Sequence, residues 1–483
     1  MSTPSGTVVP DRAQVHGRSL RRFAVPIICL AQLMATLDVT IVNLALPSIQ
    51  SDLSLSNAGL AWVVDAYTLA YAGLLLVGGR AGDILGHRRT LAIGIGLFTL
   101  CSLLAGLATG AVALLGARAG QGAGAALATP ATLSLITTMC PVGPRRTRAM
   151  VGYGAMAGVG ITLGLVLGGV LTQVASWRWV FLINVPIGLF VLATARQVLP
   201  ESHGAVRRVD LLGAATGTLA LASLVFGVIR AGSHYWGESI STSTLVLGAA
   251  LLVLFIVIEL QVPEPTLPLW LLRHRVRSGA YLVAGLLYAC LYPTFFLSGR
   301  ALQEARGFTA LHAGLDFGPL GLGVLAFAFA ARRVMTAARA PALVVVGSVA
   351  TALGAGFLTA FDATSGYVDV LLPALIGIGA GVGTAFVANA GIAMTDVPEQ
   401  HAGVAAGLLG TFQAVGGTVG VAVVASLAAA RTQDRLHVAG PMPDPRTYAD
   451  ALLSGVGLGF TITAVLAVLA ALAAVGSVLR HRP

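Results

Sequence analysis

Apolar stretches of about 20 residues or more, separated by short polar turns, recur along this chain from one end to the other. No other feature constrains its folding as strongly. Crossing the ~30 Å hydrocarbon core of a bilayer takes about 20 apolar residues in a helix. Water is absent there, so each stretch must satisfy its own backbone hydrogen bonds, which makes each a helix. A first group of six falls at 22–46, 58–79, 89–109, 112–139, 148–173 and 178–198. Two more follow at 209–231 and 241–261. A last six occupy 278–299, 311–331, 341–361, 369–395, 401–430 and 451–480. The pattern predicts an all-α integral membrane protein with 14 transmembrane helices. Its domains are a six-helix bundle over 1–199, an inserted helix pair over 200–265 and a second six-helix bundle over 266–483.

Composition agrees. Only 10% of residues are charged and 56% are hydrophobic, against about 25% charged in a soluble domain. The 60 glycines suit helices packed closely in lipid. A net charge of +10 raises the question of nucleic acid, and the placement of the charges answers it. Every basic residue is arginine, clustered between the apolar runs, as at Arg88 and Arg89, Arg145 to Arg148, Arg207 and Arg208, and Arg332 and Arg333. With the N-terminus in the cytoplasm, only Arg178, Arg230, Arg300, Arg306, Arg431, Arg435 and Arg446 fall outside, and Arg118 lies within a span. That asymmetry sets both termini inside and supports the even count. The basic-then-apolar N-terminus reads as a retained first span, not a cleaved signal. Cys29, Cys101, Cys140 and Cys290 are too dispersed for a metal site or disulfide framework.

A few polar residues interrupt the apolar helices. Asp38 stands at mid-helix in Leu37-Asp38-Val39-Thr40-Ile41-Val42-Asn43-Leu44-Ala45-Leu46-Pro47, and Asp65 follows near the outer end of the second span. An ionisable group inside a span is costly and marks a functional position unless a neighbouring helix pairs it structurally. Arg118 is the one base lying deep within a span rather than near its end. It shares a stripe of about 100° with Gln121, Gly122, Ala125, Thr129 and Thr132. On the first helix Gln32, Thr36, Thr40 and Asn43 share a face roughly opposite Asp38. Either Asp38 faces Arg118 while the polar stripe meets substrate, or the reverse. The turn after the second span reads Gly79-Arg80-Ala81-Gly82-Asp83-Ile84-Leu85-Gly86-His87-Arg88-Arg89, rich in glycine with acid and base close together.

These elements resemble the first-half signatures of the major facilitator superfamily. The first-helix motif resembles its fourteen-helix drug:proton antiporter branch, as does Trp177-Arg178-Trp179-Val180-Phe181-Leu182-Ile183-Asn184-Val185-Pro186-Ile187-Gly188. The resemblance spans the chain. It implies two pseudo-symmetric bundles rocking about a central site, powered by protons, with no nucleotide motif in the sequence. Desolvation favours the neutral form of a carboxylate, which suits proton exchange near neutral pH. The proton-coupling candidates are therefore Asp38 and Asp65, with Arg118 to tune them. By resemblance, Gly79, Asp83, Gly86 and Arg88 gate the cytoplasmic side, Asp83 bracing a helix N-terminus beside a nearby arginine. Two departures stand out: Leu165 replaces the usual proline of the Gly160–Gly169 run, and Ile84 and His87 replace usual basic residues.

Candidate substrate contacts are Asn43, Gln121, Tyr288, Tyr292, Asn389 and Gln413. Tyr288 and Tyr292 are either interhelical packing or an aromatic wall, while Tyr281, nearer a span end, reads as an interface anchor. Asn389 and Gln413 are either substrate groups or interhelical bonds. Asp316 is either a solvated or gating acid or a coupling one. The function expected is proton-coupled antiport of a small lipophilic drug or antibiotic across a bacterial cytoplasmic membrane. Symport of a small solute, or a membrane-embedded enzyme, is the alternative. The partners expected are that small molecule, protons and membrane lipid, with a monomeric chain, no cofactor, no metal and no nucleic acid.

Overall fold

The computed structural model describes residues 23–55, 57–141, 143–200, 210–233, 237–263, 265–336, 338–362, 365–439 and 444–479. Arg18, Arg21, Arg22, Arg207 and Arg208 lie outside the described residues. Among the described residues the regular structure is helical. The first bundle comprises α1 (Ala24–Leu53), α2 (Asn57–Leu85), α3 (His87–Gly106), α4 (Ala111–Met139), α5 (Pro144–Val174) and α6 (Trp179–Leu182 continuing as Asn184–Val198). The inserted pair is α7 (Leu211–Ser233) and α8 (Ser239–Gln261). The second bundle comprises α9 (Arg275–Arg300), α10 (Ala310–Asp316 continuing as Gly318–Val334), α11 (Ala340–Leu358), α12 (Leu372–Ala393), α13 (Ala402–Ala439) and α14 (Pro445–Leu479).

Thirteen of these helices are long and apolar enough to cross a membrane. The exception is α4, 29 residues long but diluted by Arg118, Gln121, several glycines and threonines. Its polar groups are buried against other helices, so lipid hydropathy is a poor guide to it. Several helices also outrun their apolar stretches. The turn expected over 79–89 is mostly helix: α2 continues to Leu85, and α3 begins at His87. Gly86 alone makes the turn, at φ 93°, a conformation that disfavours a residue with a Cβ.

The two bundles repeat one packing scheme. In the first, α1 packs on α4, α5 and α6, α2 on α4, and α3 on α4 and α6. In the second, α9 packs on α12, α13 and α14, α10 on α12, and α11 on α12 and α14. The bundles meet where α2 packs on α13 and α5 on α10. The inserted α7 lies against both α2 and α13. Small residues set the closest approaches. A Cβ on Gly164 of α5 would overlap Thr40 Oγ1, and one on Gly168 would fall 2.7 Å from the Ile41 carbonyl. The α1 backbone therefore lies directly against α5. The Thr40 hydroxyl donates to the Gly160 carbonyl at 3.2 Å.

Candidate functional site

Asp38 and Arg118 meet in the middle of the first bundle. Both are almost wholly enclosed, at 0% and 1% exposure. Arg118 Nη1 donates to Asp38 Oδ2 at 2.5 Å and to Gln121 Oε1 at 3.0 Å. Its Nε donates to the Val63 carbonyl of α2 at 2.9 Å, and its guanidinium lies 4.6 Å from the Tyr67 ring centroid. The other carboxylate oxygen, Asp38 Oδ1, accepts from Gln121 Nε2 and Asn184 Nδ2, both at 3.0 Å. Gln121 Nε2 also donates to Ser102 Oγ of α3 at 2.7 Å. A buried charge is tolerable only when paired and hydrogen-bonded, and here both members are. The network ties α1, α2, α3, α4 and α6 together at one point. Asp38 thus faces α4, and the opposite stripe of α1 divides: Thr36 and Thr40 lie against α5, while Asn43 is exposed and donates to Val39 O at 3.0 Å.

The segment after α5 explains its own motif. Trp177 Nε1 and Arg178 Nη1 donate to Asp52 Oδ2 at 2.9 and 2.7 Å, fixing the end of α1. Phe181 is buried, its ring centroid 5.8 Å from the Arg118 guanidinium. One helical turn further, Asn184 reaches Asp38. Asn184 and Ser102 were not among the sequence candidates. Asn184 lies within the quoted motif, but its neighbour across the bundle is 146 positions away. Asn184 Oδ1 is buried with no hydrogen-bond partner among the described residues.

The second polar centre lies at the α2–α13 contact. Asp83, 3% exposed, accepts from the backbone N–H groups of Gly403 at 2.9 Å and Val404 at 3.1 Å. These belong to the first turn of α13, where unpaired N–H groups and the helix dipole favour an anion. A Cβ on Gly79 would overlap the Gly403 carbonyl, so the two helices touch backbone to backbone. The pairing expected between Asp83 and Arg88 is not formed. Arg88 Nη1 instead donates to the carbonyls of Arg196 and Leu199 at the end of α6, at 3.2 and 3.3 Å. It stands beyond Gly86, and the helical course of α3 turns it away from α2. His87 Nε2 is the nearer base, 3.8 Å from Asp83 Oδ1.

Asp65 is not part of the Asp38 network. It is half-buried, with no hydrogen bond or ion pair among the described residues. Five helical turns before Asp83, it shares that residue's face of α2. In the second bundle Tyr288, Asn389 and Gln413 line one narrow crevice together with Phe386. Tyr288 packs on Tyr292 and Phe386, each with ring centroids 5.3 Å apart. Asn389 donates to Ala280 O at 2.8 Å, and its own Oδ1 is buried without a partner among the described residues. Tyr281 is no interface anchor. It is 0% exposed, stacked on Phe412 at 5.7 Å and donating to Ala393 O at 3.4 Å, because α12 and α13 cover it. Asp316 is half-buried, with Oδ2 unpartnered among the described residues.

Known proteins share this architecture. The pur8 puromycin resistance protein of Streptomyces alboniger is 38% identical over 471 residues, covering 96% of this chain and 92% of its own length. The cephamycin export protein CmcT of Amycolatopsis lactamdurans is 38% identical over 451 residues, 92% of this chain and 91% of its own. A lincomycin resistance protein of Streptomyces lincolnensis is 36% identical over 441 residues, 91% and 90% of the two chains. In fold, the crystal structure of the human organic anion transporter MFSD10 (TETRAN) superposes with a TM-score of 0.66 at 16% identity, over 94% of this chain and 99% of that one. Residues 28–421 match the Major Facilitator Superfamily as a whole, and this multi-pass membrane protein belongs to that superfamily.

Proposed function

We propose that the chain is a proton-coupled antiporter of the fourteen-helix branch. It would export a small, lipophilic drug or antibiotic across a bacterial cytoplasmic membrane by alternating access. The observation that carries this reading is the enclosed Asp38–Arg118 pair, held on five helices at the centre of the first bundle. The antibiotic resistance and export named for its relatives supplies the substrate class. In this account α4 is the fourteenth crossing, both termini are cytoplasmic and a monomer suffices. The reaction is vectorial.

The geometry offers a route for the proton. Protonated Asp38 no longer neutralises Arg118, and its new O–H needs an acceptor. Asn184 supplies one when its side-chain amide turns over, because Oδ1 has no hydrogen-bond partner among the described residues. Arg118 then keeps Val63 O and Gln121 Oε1 but loses its counter-charge, and α1 is released from α4. The α2–α13 contact at Asp83 is the cytoplasmic gate, closed here, with the Asp83 carboxylate on the α13 N-terminus as its latch. Asp65, on the same face of α2 and without a partner among the described residues, is a second proton-accepting group. Asn43, Tyr288, Tyr292, Asn389 and Gln413 meet the substrate when the bundles separate. Counterflow in vesicles, with a panel of lipophilic drugs, tests the reading. At least one labelled drug is expected to exchange across the membrane. Inserted, folded protein that exchanges none of them would contradict an exporter of this class.

A further inference from the structure

Two further carboxylates are buried far from Asp38, in the inserted helix pair. Asp210, immediately before α7, is 8% exposed, and Glu259, in the last turn of α8, is 5% exposed. Each spends one oxygen on structure. Asp210 Oδ1 accepts from the Gly213 N–H at 2.8 Å, capping the first turn of α7. Glu259 Oε2 accepts from the Leu267 N–H at 3.0 Å, holding the segment that follows α8. The remaining oxygens, Asp210 Oδ2 and Glu259 Oε1, are buried and have no hydrogen-bond partner among the described residues. Both converge on one spot. A Cβ on Gly213 would overlap Asp210 Oδ2 and fall 2.7 Å from Glu259 Oε1.

Two ionised carboxylates crowded together away from water repel each other, and each orphaned oxygen adds a desolvation cost. A single proton removes both deficits, since a carboxylic acid donates its O–H to a neighbouring carboxylate in a strong, charge-assisted bond. We propose that Asp210 and Glu259 share one proton and form a further proton-holding site, distinct from Asp38 and Asp65, at the foot of the inserted helix pair. Among the described residues the cation whose charge acts on Glu259 is Arg80 of α2, itself buried, whose charge also acts on Asp83 and on His401 before α13. With one proton shared, the pair carries a single negative charge opposite that guanidinium. Losing the proton adds a second negative charge beside the arginine that serves the α2–α13 contact. A hard metal cation would ask for about six oxygen ligands, where two converge, and no group of three metal-binding side chains occurs among the described residues.

The site can be read without substrate, so its failure would leave the transport reading standing. Infrared difference spectra between wild type and variants, on the full chain in lipid nanodiscs, detect protonated carboxyl groups through a C=O stretch that shifts in D2O. The expected result is a wild-type band lost in both Glu259→Gln and Asp210→Asn, and kept in Asp38→Asn. Each amide puts an N–H where the shared proton was, so both variants are expected to keep the wild-type thermal midpoint. A band that survives in either variant overturns the shared proton. So does a thermal midpoint that rises with Na⁺ or K⁺ in the wild type and not in Glu259→Gln, which would assign the pocket to a cation.

Discussion

Charge-neutralising substitutions at Asp38 and Arg118 should destabilise the protein unequally and non-additively. Asp38→Asn leaves a guanidinium at 1% exposure without its counter-charge. Arginine does not shed its proton in proteins, so the whole cost of an unpaired buried charge falls on the native state, about 3–5 kcal/mol. Arg118→Gln should cost less than Asp38→Asn. The stranded Asp38 still accepts from Gln121 and Asn184, and a carboxylate can take up a proton to escape its charge. The double variant removes both charges and should be destabilised by less than the two singles together, with a coupling of about 3 kcal/mol, the top of the range for contacting residues. Reversible unfolding in mixed micelles, followed by tryptophan fluorescence, measures all four proteins. Additivity within about 0.5 kcal/mol, or a larger loss for Arg118→Gln than for Asp38→Asn, would refute the argument that this pair is the electrostatic centre of the bundle.

Asp83→Asn should shift the conformational balance rather than erase ligand binding. An anion at a helix N-terminus contributes about 0.3–1 kcal/mol, up to ~2 when partly buried, so the closed-to-open ratio should fall by roughly two- to thirtyfold. Cysteine accessibility at the two ends of the bundle reads this, and unchanged labelling beside lost binding would contradict it. Gly79→Ala, which drives a Cβ into the Gly403 carbonyl, should open the same contact. Gly164→Val, which would overlap Thr40 Oγ1, should lower stability by about 1–3 kcal/mol, and an unmoved thermal midpoint would show that α1 and α5 have room to spare.

The helices were legible because lipid allows few alternatives: an apolar run long enough to cross must satisfy its own backbone. Asp38, Arg118 and Gln121 stood out for the same reason, as costly groups in apolar surroundings. Their partners did not. Whether Asp38 or the opposite face of α1 looks at Arg118 depends on the helix's rotation, which the Gly160–Gly164–Gly168 stripe of α5 sets by admitting Thr36, Thr40 and Ile41. Asn184 and Ser102 are ordinary polar residues until the fold aims them at Asp38 and Gln121. Helix ends were misplaced where polar residues continue a helix beyond its apolar stretch, as in α2 to Leu85. The same continuation displaced Arg88 from Asp83. Tyr281 went wrong for a different reason: its depth along α9 suggested an interface, while burial by neighbouring helices is not written in its own segment.

Drug-driven proton movement, in proteoliposomes carrying a trapped pH indicator, bears most directly on the claim that Asp38 couples export to protons. Wild type should move protons when a transported drug is added, and Asp38→Asn should not, while remaining inserted and still binding the drug. Undiminished drug-driven proton movement in Asp38→Asn would remove Asp38 from the coupling mechanism.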